Sequence, residues 1–396
     1  MQLHGKTNFH FLSLLAGLCF FLSALEYMIP KPLPFIRLGL ANLPLLLALD
    51  ILPFPSFLLL CGLKISGQAL ITGTLFSYVF IFSLGGTGVS AILMYAIRKN
   101  FGKEKISLIG ISSTGAIASN GTTLILAYYF VFGESIRYVI VPVLALGIVT
   151  GILLGIIVEY FIRNSIWYSR GEDTLTVTQG EINHGVSRSF NKNFREARED
   201  FYIKTFNSNE LAIAGLCMIP ALLFNPDTKT RIIQFLFFWV ILWLSGKKHN
   251  PIITISIILG IVFFNLLIPY GEILFSIGQW KITSGAFMGG LRRAVTLEGL
   301  FMLSRSCIRS DLALPGTFGK IIGESLRIFS GMAEEKVFFN KQNWIERLDG
   351  LLIHYGENQP ASTEKSEVIN NPKKTTGRII LIAVIILAWL PFLFKA

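Results

Sequence analysis

The stretch from Pro34 to Gly88 is almost continuously apolar, and it constrains the fold more than any other part of the chain. A few polar residues interrupt it: Arg37, Asn42, Asp50, Lys64 and Gln68. A charge at the centre of a spanning helix costs about 2.5–3.5 kcal/mol on insertion scales, so such residues persist only for a reason. They either line a cavity or lie at the membrane edge, and the function depends on which.

The composition extends this reading to the whole chain. Of 396 residues, 52% are hydrophobic and only 15% are charged, and 33 are Phe. Several apolar runs reach the ~20 residues that cross a bilayer core of about 30 Å. We predict an all-α, polytopic membrane protein with about 10–11 transmembrane helices in two units, plus cytoplasmic amphipathic helices.

The net charge of +11 does not indicate a nucleic-acid partner, because the basic residues gather in short segments beside apolar runs, as at 98–105 and 247–249. Such segments are typical of cytoplasmic loops under the positive-inside rule. They predict a cytoplasmic-membrane protein with its N-terminus in the cytoplasm. The four cysteines are isolated and indicate neither a disulfide framework nor a metal site.

The first predicted unit covers residues 1–165, with spans at about 9–28, 36–51, 54–73, 75–97, 106–132 and 136–162. A polar cytoplasmic linker follows at 166–210, with a short amphipathic helix near Asn193 to Lys204.

The second predicted unit covers residues 211–396, with spans at about 211–225, 231–246 and 251–270. A weaker candidate span, the Gly-rich segment 282–308, carries several charges and must pack against protein, line a polar region or lie partly outside the bilayer. Residues 315–354 are amphipathic and predict helices on or below the cytoplasmic surface. A flexible loop at 355–377 and a terminal span at 378–394 close the chain.

The groups that catalysis would require are missing from the sequence. No two aspartates are adjacent, and Gly316 to Ile321 lacks the spacing and the hydroxyl of a phosphate loop. We therefore predict no enzymatic activity of this chain, no catalytic or metal-binding residues and no cofactor. The glycines Gly85, Gly86 and Gly88 predict close helix packing instead.

The polar residues of the opening stretch predict a solute site. Lys64 and Gln68 are four residues apart and share one face of a helix, and snorkelling from the middle of a span is difficult for Lys64. Asn42 could cap or bridge helices, Asn120 lies mid-span, and Arg37 either joins the site or anchors a helix at the outer headgroups. Together these five residues would form a substrate-binding pocket.

Three segments carry a resemblance to a known family. Ile36 to Leu49 (IRLGLANLPLLLAL), Gly73 to Met94 (GTLFSYVFIFSLGGTGVSAILM) and Ser107 to Ala127 (SLIGISSTGAIASNGTTLILA) resemble the Gx transporter family, also catalogued as heptaprenyl diphosphate synthase component I. The likeness covers about residues 9–165. That family is similar to the S components of energy-coupling factor transporters, which implies six helices that capture a vitamin or a related precursor.

The second half is similar to the T component of the same transporters, which joins an S component to two ATPases. The likeness rests on Ile282-Thr283, Gly285, Gly289, Leu291 to Arg293 and the amphipathic region before the last span. The Ala-Arg-Gly or Ala-Arg-Ser motifs of that family are absent, because the one Ala-Arg pair, Ala197-Arg198, is followed by Glu199. The departure leaves the coupling to ATPases open.

These observations predict a membrane transport subunit that binds and helps to import a small vitamin or cofactor precursor, such as a flavin or an isoprenoid or quinone precursor. Its expected partners are the solute, the lipid bilayer, and ATPase subunits or a membrane enzyme bound through the cytoplasmic helices. The alternative is a non-catalytic scaffold or accessory subunit of an isoprenoid-diphosphate synthase or a membrane redox system.

Overall fold

The computed structural model describes residues 9–28, 39–171, 201–247, 249–278, 280–309, 312, 316–334, 344–357 and 375–393, and nearly all of them are helical. The helices of the first half are α1 Phe9–Met28, α2 Leu43–Ala48, α3 Phe54–Thr72, α4 Tyr78–Lys105, α5 Leu108–Ala127, α6 Arg137–Asn164 and α7 Ile166–Gly171. A 3-10 turn, Leu40–Asn42, precedes α2, and a π turn and a 3-10 turn join α5 to α6.

The second half contains α8 Ser208–Leu223, α9 Thr228–Leu244, α10 Pro251–Leu266, β1 Ile273–Ile277, β2 Trp280–Thr283, α11 Ser284–Cys307, α12 Gly316–Glu334, α13 Trp344–Glu357 and α14 Thr375–Leu393. The two strands form an antiparallel hairpin in which Phe275 pairs with Ile282. The hairpin is a departure from the all-α prediction. It occupies the connection between the predicted spans at 251–270 and 282–308.

Four segments of the described chain are long and apolar enough to cross a membrane: Phe9–Glu26, Phe54–Thr72, Tyr78–Lys105 and Leu108–Asn164, the last of which contains both α5 and α6. Shorter apolar helices lie at Ser208–Leu223, Pro251–Leu266 and Thr375–Pro391. The prediction of a helical, polytopic membrane protein is confirmed. The number of spans and the orientation of the N-terminus stay predictions.

The predicted second span at 36–51 is wrong as a single helix. Within its described part, the chain turns at Gly39, whose φ of 86° lies in the left-handed region, and α2 then has only six residues. Pro53, in extended conformation, starts α3. Six helical residues measure about 9 Å, too short for a ~30 Å bilayer core.

An ion pair joins the end of this short segment to α4. Arg98 donates from Nε to Asp50 Oδ1 and from Nη2 to Oδ2, both at 2.7 Å. The two side chains are 10% and 8% exposed. Asp50 therefore interrupts the apolar stretch as the partner of a cation from the basic 98–105 segment.

The amphipathic pattern within 315–354 is seen in α12 and α13, but α12 does not lie free on a surface. Its apolar residues Ile321, Ile322, Ile328 and Met332 are buried in one cluster with α1 and α3. A Cβ at Gly17 of α1 would lie 2.8 Å from Ile328 Cγ2, so the two helices are in close contact. The first half thus provides the surface that α12 covers.

Several other predicted segments lie partly outside the described residues. The linker is described only at its two ends, as α7 and as a helical turn at 201–205, so most of the amphipathic helix predicted near 193–204 is not covered. Of the loop predicted at 355–377, residues 358–374 lie outside the description, whereas α13 extends to Glu357.

The first half contacts α11 at two places. At the end of the bundle where α4 begins, Phe76 N donates to Ser304 Oγ at 2.9 Å. At the same end, after α5, a Cβ on Gly133 would lie 2.8 Å from the Arg293 guanidinium. These two contacts on α11 are roughly 16 Å apart along its axis at 1.5 Å per residue. One end of the first half therefore lies along the side of α11.

Candidate functional site

A small polar cavity lies inside the first half, between α1, the turn before α2, α3, α4, α5 and α6. Its volume is about 40 Å³, enough for roughly three water molecules at about 10–15 Å³ each by this measure. Its lining includes Glu26, Asn42, Lys64, Gln68, Ser119 and Asn120. Polar groups thus meet in the interior of a bundle whose helices are otherwise apolar.

Four of the five residues predicted to bind substrate line this one cavity: Asn42, Lys64, Gln68 and Asn120. Arg37 lies outside the described residues. The sequence predicted that these residues lie together, from their spacing and their positions in the apolar runs. In the structure they line the same cavity. Whether they bind a solute stays a prediction.

Lys64 is the cation of the site, and its side chain is buried, with only 3% of the residue exposed. Its Nζ donates a hydrogen bond to Asn42 Oδ1. Asn42 is positioned by the 3-10 turn, in which its N–H donates to Gly39 O at 2.8 Å. This turn places the Asn42 amide opposite α3. It needs a glycine at position 39, because a residue with a Cβ adopts the left-handed conformation only at a cost.

Gln68 lies one turn further along α3 and differs from Lys64 in having an unused group. Its Oε1 is buried and has no hydrogen-bond partner among the described residues. A buried acceptor without a partner costs about 1–3 kcal/mol. The preceding residue, Gly67, lets α3 pack closely against α1, since a Cβ there would lie 1.9 Å from the Phe20 ring. The Gln68 amide therefore lies at the cavity wall with an acceptor oxygen that a bound solute could use.

Asn120 contributes to the cavity wall but is also used to join two helices. Its Nδ2 donates to Val143 O of α6 at 3.2 Å. Gly147 makes room for this amide, because a Cβ there would lie 2.0 Å from Nδ2. Of the four predicted residues in the cavity, Asn120 has the clearest structural role.

Glu26 is a cavity residue that the site prediction missed. It is 5% exposed, and its Oε2 accepts a hydrogen bond from Gly39 N at 3.2 Å. The signal in the sequence was a carboxylate at the end of the first apolar run. Its position near Lys64 depends on the packing of α1 against α3, which spacing along the chain does not reveal. The cavity lining therefore contains both an acidic residue, Glu26, and a basic residue, Lys64.

The predicted packing glycines behave differently from one another. A Cβ on Gly86 would lie 2.9 Å from Thr123 Oγ1 and 3.1 Å from Ser119 O of α5, and one on Gly85 would lie 3.0 Å from Leu126 Cδ1. A Cβ on Gly88 would meet nothing within 4 Å. Gly85 and Gly86 therefore permit the close approach of α4 and α5, and Gly88 does not share in it.

Comparison with known proteins places this cavity within a recognised family region. Residues 15–161 match the family model described as heptaprenyl diphosphate synthase component I, and residues 210–310 match one described as a domain of unknown function (DUF8519). No curated protein and no solved structure matched the chain. The resemblance read from the first half of the sequence is confirmed. The similarity to energy-coupling factor components stays a prediction.

Proposed function

We propose that this chain is a membrane subunit that binds a small solute in the cavity of its first half and takes part in the uptake of that solute. The observation that carries the proposal is the meeting of a buried lysine, Lys64, and a buried acceptor without a partner, Gln68 Oε1, in one cavity of an apolar helix bundle. Polar groups at membrane depth are costly and mark solute pathways in membrane proteins.

The two side chains define what the solute must offer. The Lys64 ammonium presents only donors, so it favours an anionic or carbonyl oxygen, and Gln68 Oε1 favours an N–H or O–H group. Glu26 in the same cavity limits how much negative charge the solute can carry. A polar precursor with one acidic group and one hydrogen-bond donor suits these three side chains. The vitamin and cofactor precursors that the sequence resemblance implies include compounds of this kind.

The size of the cavity adds a condition. Pockets for drug-sized ligands measure about 300–1,000 Å³, whereas this cavity measures about 40 Å³. A vitamin-sized solute therefore enters only after the helices around the cavity separate. We expect binding to be accompanied by a rearrangement of α1 and α3, the helices that supply Glu26, Lys64 and Gln68.

A second candidate function rests on the family description. Residues 15–161 match a family named as a component of heptaprenyl diphosphate synthase. On that basis the chain would be a non-catalytic membrane partner of a prenyl-diphosphate-forming enzyme, bound through its amphipathic helices α12 and α13. This function requires a stable complex and does not require a solute in the cavity.

Two measurements on the purified full-length protein separate these functions. A panel of vitamin, flavin and isoprenoid precursors is screened for compounds that raise the unfolding temperature, using wild type, Lys64→Met and, as a matched control, Lys281→Met on the exposed hairpin. We expect a stabilising compound whose effect is lost only in Lys64→Met. Mass spectrometry of partners captured in mild detergent is the second measurement: a synthase subunit, with no stabilising compound, would favour the second function.

A further inference from the structure

The second half contains an unusual carboxyl group that does not belong to the cavity. Glu298 lies on α11 and is only 2% exposed. Its Oε2 is buried and has no hydrogen-bond partner among the described residues. The side chain makes one hydrogen bond, with Thr254 in the first turn of α10. A carboxyl that needed only to anchor one helix to the other would be expected to use both oxygens.

The surroundings of Glu298 supply no charge to balance a carboxylate. On its own helix, the residues three and four positions away are Ala294, Val295, Phe301 and Met302. Titratable and charged groups on α11 and on the elements beside it include Tyr78, Tyr128, Tyr129, Glu210, Cys217, Lys229, Arg231, Lys247, Lys281, Arg292, Arg293, Arg305 and Cys307. The ion pairs found among the described residues do not include Glu298. A buried carboxylate without a cation costs several kcal/mol, which the uptake of a proton removes.

Two of these cations are engaged elsewhere. Arg231 donates to Asn225 O at 2.5 Å, to Leu223 O at 2.8 Å and to Thr296 Oγ1 at 2.5 Å. Lys247 Nζ donates to the carbonyl oxygens of Arg305 and Ile308 at 2.6 Å. Both cations are held by carbonyl oxygens near helix ends, and Arg231 is also held by the Thr296 hydroxyl.

A hydrogen-bonded chain leads from Glu298 to the surface. Thr254 Oγ1 lies 3.0 Å from His249 Nε2. His249 is half-buried in the loop before α10, next to the exposed Asn250. Burial, with a smaller effect from Arg305, lowers the pKa of His249 to about 4. The imidazole is therefore neutral at pH 7 and has one nitrogen that donates and one that accepts.

We propose that Glu298 is a proton-binding site that exchanges its proton with the aqueous phase through Thr254 and His249. In the step that loads the site, the Thr254 hydroxyl gives its proton to the Glu298 carboxylate. Thr254 Oγ1 regains a proton from His249 Nε2, and His249 Nδ1 takes one from water. One O–H bond forms at Glu298, one proton leaves the solvent, and the imidazole changes tautomer. The inference is independent of the cavity in the first half.

The test uses infrared difference spectra of the full-length protein in lipid after a pH jump, where a protonated carboxyl gives a separate C=O band. We expect Glu298→Gln to remove one such band, and Glu272→Gln, at an exposed carboxyl of the hairpin connection, to leave it. Thr254→Val and His249→Phe should keep the band and slow its appearance roughly 100-fold, the lower end of what a positioned proton donor contributes. Thr254→Ser, which keeps the hydroxyl, should restore the rate.

Two results would overturn the proposal. A spectrum of Glu298→Gln that keeps every carboxyl band would show that Glu298 does not titrate. Wild-type rates in both Thr254→Val and His249→Phe would show that the proton takes another route. Because Thr254→Ser keeps the hydroxyl and loses only the methyl group, a restored rate in this variant would assign the slow rate of the valine variant to the missing hydroxyl and not to misfolding.

Discussion

Replacing Gln68 by Met separates a binding role from a structural one, because the two roles predict opposite effects on stability. Met has a similar length and lacks the amide, so it removes the buried Oε1 that has no partner among the described residues. Such an unpaired acceptor costs about 1–3 kcal/mol in the folded protein. The ligand-free Gln68→Met variant should therefore be as stable as wild type or more stable, with a rise of roughly 1 °C in unfolding temperature for each kcal/mol gained in a chain of 396 residues.

The same substitution should weaken solute binding. A donor of the bound solute would lose its partner and remain buried, at a cost of about 1–3 kcal/mol, or roughly 5- to 150-fold in affinity. The assay is thermal unfolding of the purified protein in lipid nanodiscs, without and with the stabilising compound. The expected pattern is an unchanged or raised unfolding temperature alone and a reduced shift with compound.

Gln234 provides the matched control, because it is buried and fully bonded. Its Nε2 donates to Ala221 O at 3.1 Å and to Ala388 O at 2.9 Å, and its Oε1 accepts from Asn225 Nδ2 at 2.9 Å. Gln234→Met should lower the stability by more than about 2 kcal/mol. If Gln68→Met destabilises the protein as much as Gln234→Met does, Gln68 is satisfied within the fold and the reasoning is refuted.

Three further predictions concern the stability of the fold. Gly67→Ala should destabilise the protein by about 1–3 kcal/mol in thermal unfolding, because its Cβ would lie 1.9 Å from the Phe20 ring; Gly88→Ala, with nothing within 4 Å, should not. Asp50→Asn breaks a buried ion pair and should cost about 3 kcal/mol in the same assay. The pKa of His249 in the folded protein is lowered to about 4 from its ordinary value of 6.5. Between these two pH values the unfolded chain therefore binds more protons than the folded protein. Stability should therefore fall as the pH drops from about 6.5 towards 4, and His249→Asn should weaken that dependence.

Much of the helix pattern could be predicted from apolar runs. The first predicted span, 9–28, coincides with α1 at Phe9–Met28, and the third, 54–73, nearly coincides with α3 at Phe54–Thr72. The second failed because apolar content does not report backbone conformation: Gly39 turns the chain and Pro53 starts a new helix. The hairpin at 273–283 was missed for a related reason, since its strands are only five and four residues long and the second runs directly into α11.

The candidate site could be predicted only where it depends on one helix. Lys64 and Gln68 share a face because they are four residues apart, and that relation follows from helical geometry alone. The hydrogen bond from Lys64 to Asn42 and the presence of Glu26 in the same cavity join distant parts of the chain. They depend on how α1, the turn at Gly39 and α3 pack, and no spacing in the sequence encodes that.

The central claim is that the cavity in the first half binds a small solute, and native mass spectrometry of the full-length protein in lipid tests it most directly. The stabilising compound from the thermal screen is added to wild type, Lys64→Met, Gln68→Met and the control Lys281→Met. The account predicts a complex of one solute per chain for wild type and Lys281→Met, and a strongly reduced complex for the two cavity variants. Equal binding by all four proteins, or no solute bound by wild type, would contradict it.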